Sequence, residues 1–153
     1  MKKDRLYRRR SGGFTLLELL VVIAIIGILS SVVIESLSSA KQRAYDAKVK
    51  SQLVNLRNAA ELYYLANGSY GATTTNCTSG MFTDTTSGLS KLSVSANYPT
   101  GQNTIVCNAN SKMYAVGDNL SIAGTYWCID SNGTSKQESA PLSTSTSVIN
   151  LCQ

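Results

Sequence analysis

The sequence predicts an α+β fold. A long N-terminal α-helix, one half transmembrane and the other amphipathic, carries a small antiparallel β-sheet head packed on its C-terminal half. Three observations predict it. An apolar run over residues 14–34 follows a basic leader. Apolar residues then recur at steps of three and four through residues 35–66, a stretch with neither Pro nor Gly. Beyond Asn67 the pattern breaks into short β-type runs between Gly-, Asn- and Ser-rich turns, with four cysteines. At 153 residues a single domain is expected.

Residues 1–13 form the leader. They hold Lys2, Lys3, Arg5, Arg8, Arg9 and Arg10 against Asp4, a net 6 − 1 = +5. The remaining 8 basic and 8 acidic residues cancel, so the whole formal charge of +5 sits in the leader. The pI of 9.1 is therefore no argument for nucleic acid, and the leader has no aromatic platform beyond Tyr7. A basic cluster ahead of an apolar helix marks the cytoplasmic flank of a membrane segment. Everything after Ile34 is then expected outside the cytoplasm, where the cysteines also lie.

Residues 14–34 are interrupted only by Thr15, Glu18, Gly27, Ser30 and Ser31. At about 1.5 Å per residue the run matches one hydrocarbon core of about 30 Å. It is longer than the ~7–15-residue apolar core of an ordinary secretory signal. The small-residue junction, Gly12-Gly13, stands before the run rather than after it. Glu18 is the anomaly. A charged carboxylate in hydrocarbon costs about 2.5–3.5 kcal/mol.

Residues 35–66 continue at helical period. Leu37, Ala40, Ala44 and Ala47, then Val49, Leu53, Leu56, Ala60 and Tyr63, mark an apolar stripe. Asn67-Gly68 supplies the stop, since both tolerate the left-handed conformation that ends helices.

The head is expected over residues 67–153. Residues 68–80 read as loop and 89–94 as a short helix or turn. Strands are predicted over 104–107, 112–116 and 125–130, and a fourth over 134–137 after the tight-turn signal Ser131-Asn132-Gly133. Residues 139–147 are low-complexity Ser/Thr with Pro141. A head this small needs covalent help. Cys77, Cys107, Cys128 and Cys152 allow three pairings. The favoured one is Cys77–Cys107, pinning the loop after the helix, with Cys128–Cys152, pinning the tail.

The chain has no His, which removes the commonest general base and zinc ligand. Its serines lack a His partner, so no enzymatic activity is expected. No cofactor or metal is expected. Asp118 and Asp130 with nearby Asn oxygens raise calcium as an idea, but their spacing matches no ordered calcium loop and turn capping is favoured. Asn67, Asn76, Asn119 and Asn132 head N-glycosylation acceptor patterns, as chance allows in a chain this rich in Asn, Ser and Thr. Tyr63, Tyr64, Tyr70, Tyr98, Tyr114, Tyr126 and Trp127 are expected in the core or at subunit contacts rather than as a base-stacking surface.

Gly13-Phe14-Thr15-Leu16-Leu17-Glu18-Leu19-Leu20-Val21-Val22 resembles the prepilin processing site of type IV pilins and type II secretion pseudopilins. Asn67-Gly68-Ser69-Tyr70 and Tyr126-Trp127-Cys128-Ile129-Asp130-Ser131-Asn132-Gly133 resemble recurrent features of pilin heads. The resemblance covers about 55 residues well and the head only in outline.

The resemblance implies a filament subunit with no catalytic role of its own. Cleavage between Gly13 and Phe14 by a prepilin peptidase on the cytoplasmic side would be followed by N-methylation of Phe14. The implied partners are further copies and related pilins, an inner-membrane assembly platform and a cytoplasmic ATPase. The implied location is the inner membrane, single-pass with a cytoplasmic N-terminus, and then an extracytoplasmic filament. Phe14, Glu18 and Gly27 carry the assembly role. No Lys or Arg lies within residues 14–34, so the amine freed at Phe14 is the natural partner for Glu18. In the free subunit Glu18 can instead reach the cytoplasmic headgroups. Gly27 fits either local unwinding or close helix packing. Glu35 stands where many pilins have Pro, a departure. The alternative is a non-filamentous single-pass membrane protein whose extracytoplasmic head binds a ligand or partner.

Overall fold

The computed structural model describes residues 13–99, 105–142 and 151–152. The fold is α+β. Helix α1 spans Leu16–Asn67. A 3-10 turn at Gly80–Thr83, a one-turn helix α2 at Leu89–Leu92 and a 3-10 turn at Ser95–Asn97 follow. Four strands complete the chain: β1 Val106–Ala109, β2 Tyr114–Asn119, β3 Tyr126–Asp130 and β4 Ser135–Glu138. Two compact units result, Met1–Ser39 and Ala40–Gln153.

In the first unit the described residues are Gly13, Phe14, Thr15 and then helix. The helix runs through Gly27 without a break. Its large apolar side chains face outward all round, with Phe14 85 % and Ile28 68 % exposed. A helix that is apolar on every face and unburied by its own chain is suited to lipid or to other apolar helices. Length and composition are sufficient to cross a membrane.

In the second unit the helix buries Val49, Leu53, Leu56, Ala59 and Ala60. These lie at steps of three and four, so they share one face. That face meets Cys107, Ala109, Tyr114, Val116 and Ile129 of the sheet, together with Met81, Phe82, Leu89 and Tyr98 of the connecting segment. The sheet order is β1-β2-β3-β4, antiparallel throughout. Cys107, Val116, Ile129 and Ser135 form one cross-strand row, and Val106, Gly117, Cys128 and Lys136 the neighbouring one. Side chains alternate between faces along a strand. The first row therefore faces the helix and the second faces away.

The outward row is covered too. An added Cβ at Gly117 would lie 3.2 Å from Leu142 Cδ1, so the chain after β4 crosses the centre of the sheet there. Cys152 is joined to Cys128, and its N–H donates to Asp130 at 3.2 Å. Cys77 is joined to Cys107, and just outside that ring the Thr74–Ala109 bridge ties the same two stretches together. Polar bonds tie the helix to the sheet. The Asp46 carboxylate accepts the Ser121 N–H at 2.7 Å. Arg57 donates to the Thr134 carbonyl. Glu61 accepts the hydroxyls of Tyr70 at 3.0 Å and Tyr114 at 3.4 Å.

Several boundaries differ from expectation. The helix starts at Leu16 rather than Phe14, because Thr15 caps it, and it includes Asn67. β1 continues through Asn108 and Ala109, which read as turn residues, because Ala109 pairs with both Tyr114 and Thr74. β2 continues through Gly117, Asp118 and Asn119, which read as loop. There the small glycine admits Leu142. The expected loop over 68–80 holds an isolated bridge and the start of a 3-10 turn. The early part of the apolar stripe, Leu37, Ala40, Ala44 and Ala47, is exposed: before Val49 the sheet's hairpin tip meets α1 at Gln42 and Asp46 rather than along this stripe. The leader to Gly12, Thr104 of the first predicted strand, and residues 143–150 of the Ser/Thr-rich tail lie outside the described residues.

Candidate processing and assembly segment

Gly13 and Phe14 precede the first helical residue. Their peptide bond is therefore outside the helix hydrogen-bond ladder. Among the described residues, nothing lies within 4 Å of an ideal Cβ at Gly13. Phe14 is highly exposed.

Two residues on, the helix start is fixed by a reciprocal pair. The Thr15 hydroxyl accepts the Glu18 N–H at 3.2 Å. Glu18 Oε2 accepts the Thr15 N–H at 2.9 Å and the Thr15 hydroxyl at 2.9 Å. This is a capping box, in which a Thr N-cap and a Glu three residues later each satisfy the other's orphan amide. The carboxylate also sits at the positive end of the helix dipole. Glu18 thus has a local function that the sequence reading missed. The signal was present, as Thr-x-x-Glu ahead of an apolar run.

All three bonds involving the Glu18 carboxylate and its amide are local, to Thr15. A free amine at Phe14 would lie one residue before the N-cap. Further along, Ser31 donates its hydroxyl to the Ile28 carbonyl at 2.8 Å, which keeps that polar group satisfied in an apolar surround. A Cβ on Gly27 would meet no other atom within 4 Å, so that glycine leaves a notch on the helix surface. Glu35 lies within the unbroken helix.

The head residues raised from the sequence fall into structural places. Asp130 Oδ1 accepts the N–H groups of Asn132 and Thr134 at 2.9 Å each, and Oδ2 accepts that of Cys152. Asp130 pairs across the strands with Ala115, three residues from Asp118. Asp118 and Asp130 therefore project from opposite faces of the sheet and do not form one ligand set. No group of three metal-ligating side chains occurs among the described residues. Asn76 Oδ1 organises the turn at Thr78 and Ser79. Asn67 caps the end of α1 by donating to the Tyr63 carbonyl at 2.9 Å. Tyr70, Tyr98 and Tyr114 are buried in the core.

Residues 8–34 carry the prokaryotic N-terminal methylation motif. That span contains the Gly13–Phe14 peptide, the capping box and the apolar helix. The chain is 47% identical over 66 residues to the type II secretion system core protein G of Aeromonas hydrophila, an alignment covering 43% of this chain and 46% of that protein. It is 48% identical over 61 residues to the core protein G of Escherichia coli K12, covering 40% and 42%. It is 47% identical over 62 residues to the type IV wide pilus major component of Thermus thermophilus, covering 40% and 47%. The chain thus matches less than half the length of these curated relatives. No solved structure matches it.

Proposed function

We propose that this chain is a structural subunit of a filament of the type IV pilus or type II secretion pseudopilus kind, made as a membrane-anchored precursor. The observation that carries the proposal is the placement of Gly13–Phe14. This peptide lies before the helix with no described residue crowding Gly13, it lies inside the methylation motif, and a capped apolar helix begins two residues later. A prepilin peptidase would cut there on the cytoplasmic side, and Phe14 would become the methylated N-terminus.

Cleavage changes the electrostatics of the segment. The basic leader is lost, and a positive amine appears where no other cation lies within residues 14–34. Glu18 of a neighbouring copy is the partner for that amine, and the pair sets the axial register as apolar helices pack together. The pairing also removes the cost of an isolated carboxylate in an apolar surround. The chain contributes structure rather than catalysis. An inner-membrane platform and a cytoplasmic ATPase would supply the work of extraction. The precursor would sit in the inner membrane with its head outside the cytoplasm.

Mass spectrometry of the intact chain from the native membrane is the test. The expected mass corresponds to a start at methylated Phe14. A chain that retains Met1 in cells with an active prepilin peptidase overturns the proposal.

A further inference from the structure

We propose that the head carries a seat for an anionic phospholipid surface, formed by residues 40–50 of α1 and the β2–β3 hairpin tip at residues 120–124. The inference rests on the reading of residues 14–34 as a membrane span.

The first observation is charge. Eight Lys and Arg follow the leader, and four of them, Lys41, Arg43, Lys48 and Lys50, fall within ten residues. Beyond residue 50 the chain holds four cations and five acids, a net 4 − 5 = −1. The head is therefore polarised, with its positive charge gathered on the helix turns that begin seven residues after Ile34. This runs against the usual bias, which places Lys and Arg on the cytoplasmic flank. A cluster so placed on the outer flank serves something other than setting orientation.

The second observation is that these cations have no acidic partners. Among the described residues none of the four makes an ion pair; the salt bridge present is Lys136–Glu138. Lys41 lies 5.5 Å over the Tyr45 ring and Lys50 lies 4.4 Å over the Trp127 ring. Asp46, the acid among them, accepts the Ser121 N–H. Lys41, Arg43 and Lys48 remain exposed.

The third observation is the hairpin tip. Ser121 is bonded to α1 twice, through its N–H to Asp46 and through its hydroxyl to the Gln42 carbonyl at 3.4 Å. The next residue, Ile122, is 63 % exposed, and Ala123 and Gly124 are exposed with it. An exposed apolar tip bonded to the same helix turns that carry these cations fits the boundary of an anionic bilayer. Cations meet phosphate groups there, and an apolar side chain enters the acyl margin. In the precursor such a seat holds the head down, and extraction into a filament must release it.

The test uses the full chain in phosphatidylcholine vesicles with or without phosphatidylglycerol. Amide exchange of Ile122, Ala123 and Gly124 is measured. The expected result is slower exchange only with the anionic lipid, reversed by raised salt. A cation near such a surface is worth about fivefold in occupancy, so Lys41→Gln is expected to reduce the protection by about that factor. Combining it with Arg43→Gln and Lys48→Gln removes the protection. Near-UV circular dichroism checks that these exposed substitutions leave the fold intact; if they do not, the wild-type lipid comparison decides alone. Equal exchange in both lipids overturns the seat. So does protection that follows protein density rather than lipid charge, which marks a second copy as the occupant. Co-flotation with either vesicle type checks the membrane span separately.

Discussion

Replacing Glu18 with Gln separates the observed capping contact of the carboxylate from its proposed pairing in assembly. In the capping box, Oε2 accepts the amide and hydroxyl of Thr15, and a glutamine carbonyl can accept both. The helix start should therefore survive Glu18→Gln. The charge does not survive, and with it would go the proposed pairing with a Phe14 amine. Thr15→Ala does the reverse, leaving the charge and removing the cap. Loss of an N-cap costs about 1 kcal/mol, which raises fraying of the first turn roughly fivefold. Exchange of the Thr15 and Glu18 amides reports the helix start, and electron microscopy with sedimentation reports filament yield. Glu18→Gln is expected to keep slow exchange and lose filaments. Thr15→Ala is expected to keep a reduced filament yield with a frayed first turn. Wild-type filament yield from Glu18→Gln would refute the pairing argument and leave Glu18 with capping alone.

Other expected outcomes concern the head. Opening the Cys128–Cys152 ring with the double Ser variant should destabilise the head by about 3.5 kcal/mol, from the loop-entropy relation for its sequence separation of 24. Thermal melting with and without reductant measures the loss, and an unchanged melt in both would contradict it. Gly117→Val places side-chain atoms where Leu142 Cδ1 and the Trp127 carbonyl already stand, 3.2 and 3.3 Å from an ideal Cβ. It should lift the segment after β4, seen as faster proteolysis near Leu142, at a cost of about 1–3 kcal/mol.

The phenols of Tyr70, Tyr98 and Tyr114 are pushed well above their ordinary range. Burial is the chief cause in each, with Glu61 adding to it for Tyr70 and Tyr114 and Asp118 for Tyr98. Their raised folded values mean that the fold favours the neutral form. That contribution is fully present below about pH 10 and is lost as pH rises through the folded values. Ultraviolet titration should show these three ionising late and together with unfolding. Full ionisation of all tyrosines near pH 10 in the folded chain would contradict the burial.

Much of the architecture was legible from periodicity. The helix followed from apolar residues at steps of three and four, and the hairpins followed from Asn, Gly and Ser between β-type runs. What escaped depended on contacts made elsewhere in the chain. Asn108 and Asp118 look like turn residues in isolation, yet both lie in strands because Thr74 and the neighbouring strands extend the pairing. Gly117 looks like a strand breaker and is the place where the tail crosses. The exposure of Leu37, Ala40, Ala44 and Ala47 could not be read from their spacing, which gives a shared face without saying what covers it. At the processing segment, the types and positions of Gly13, Phe14 and Glu18 were evident from the motif. The bond between Thr15 and Glu18 was equally legible, as Thr-x-x-Glu ahead of an apolar run.

The two disulfides have a consequence for how copies of this chain can meet. β1 and β4 are the outer strands of the sheet. Cys107 anchors β1 at the end of one covalent ring, and β4 lies wholly inside the other, between Cys128 and Cys152. An outer strand inside a closed ring has no free end to thread into another molecule. Copies of the chain brought close together therefore cannot readily trade β4, and strand exchange is the common route to domain-swapped tangles. In the proposed filament, contacts between copies would then fall to side-chain surfaces, and neighbours could join and part without exchanging β4.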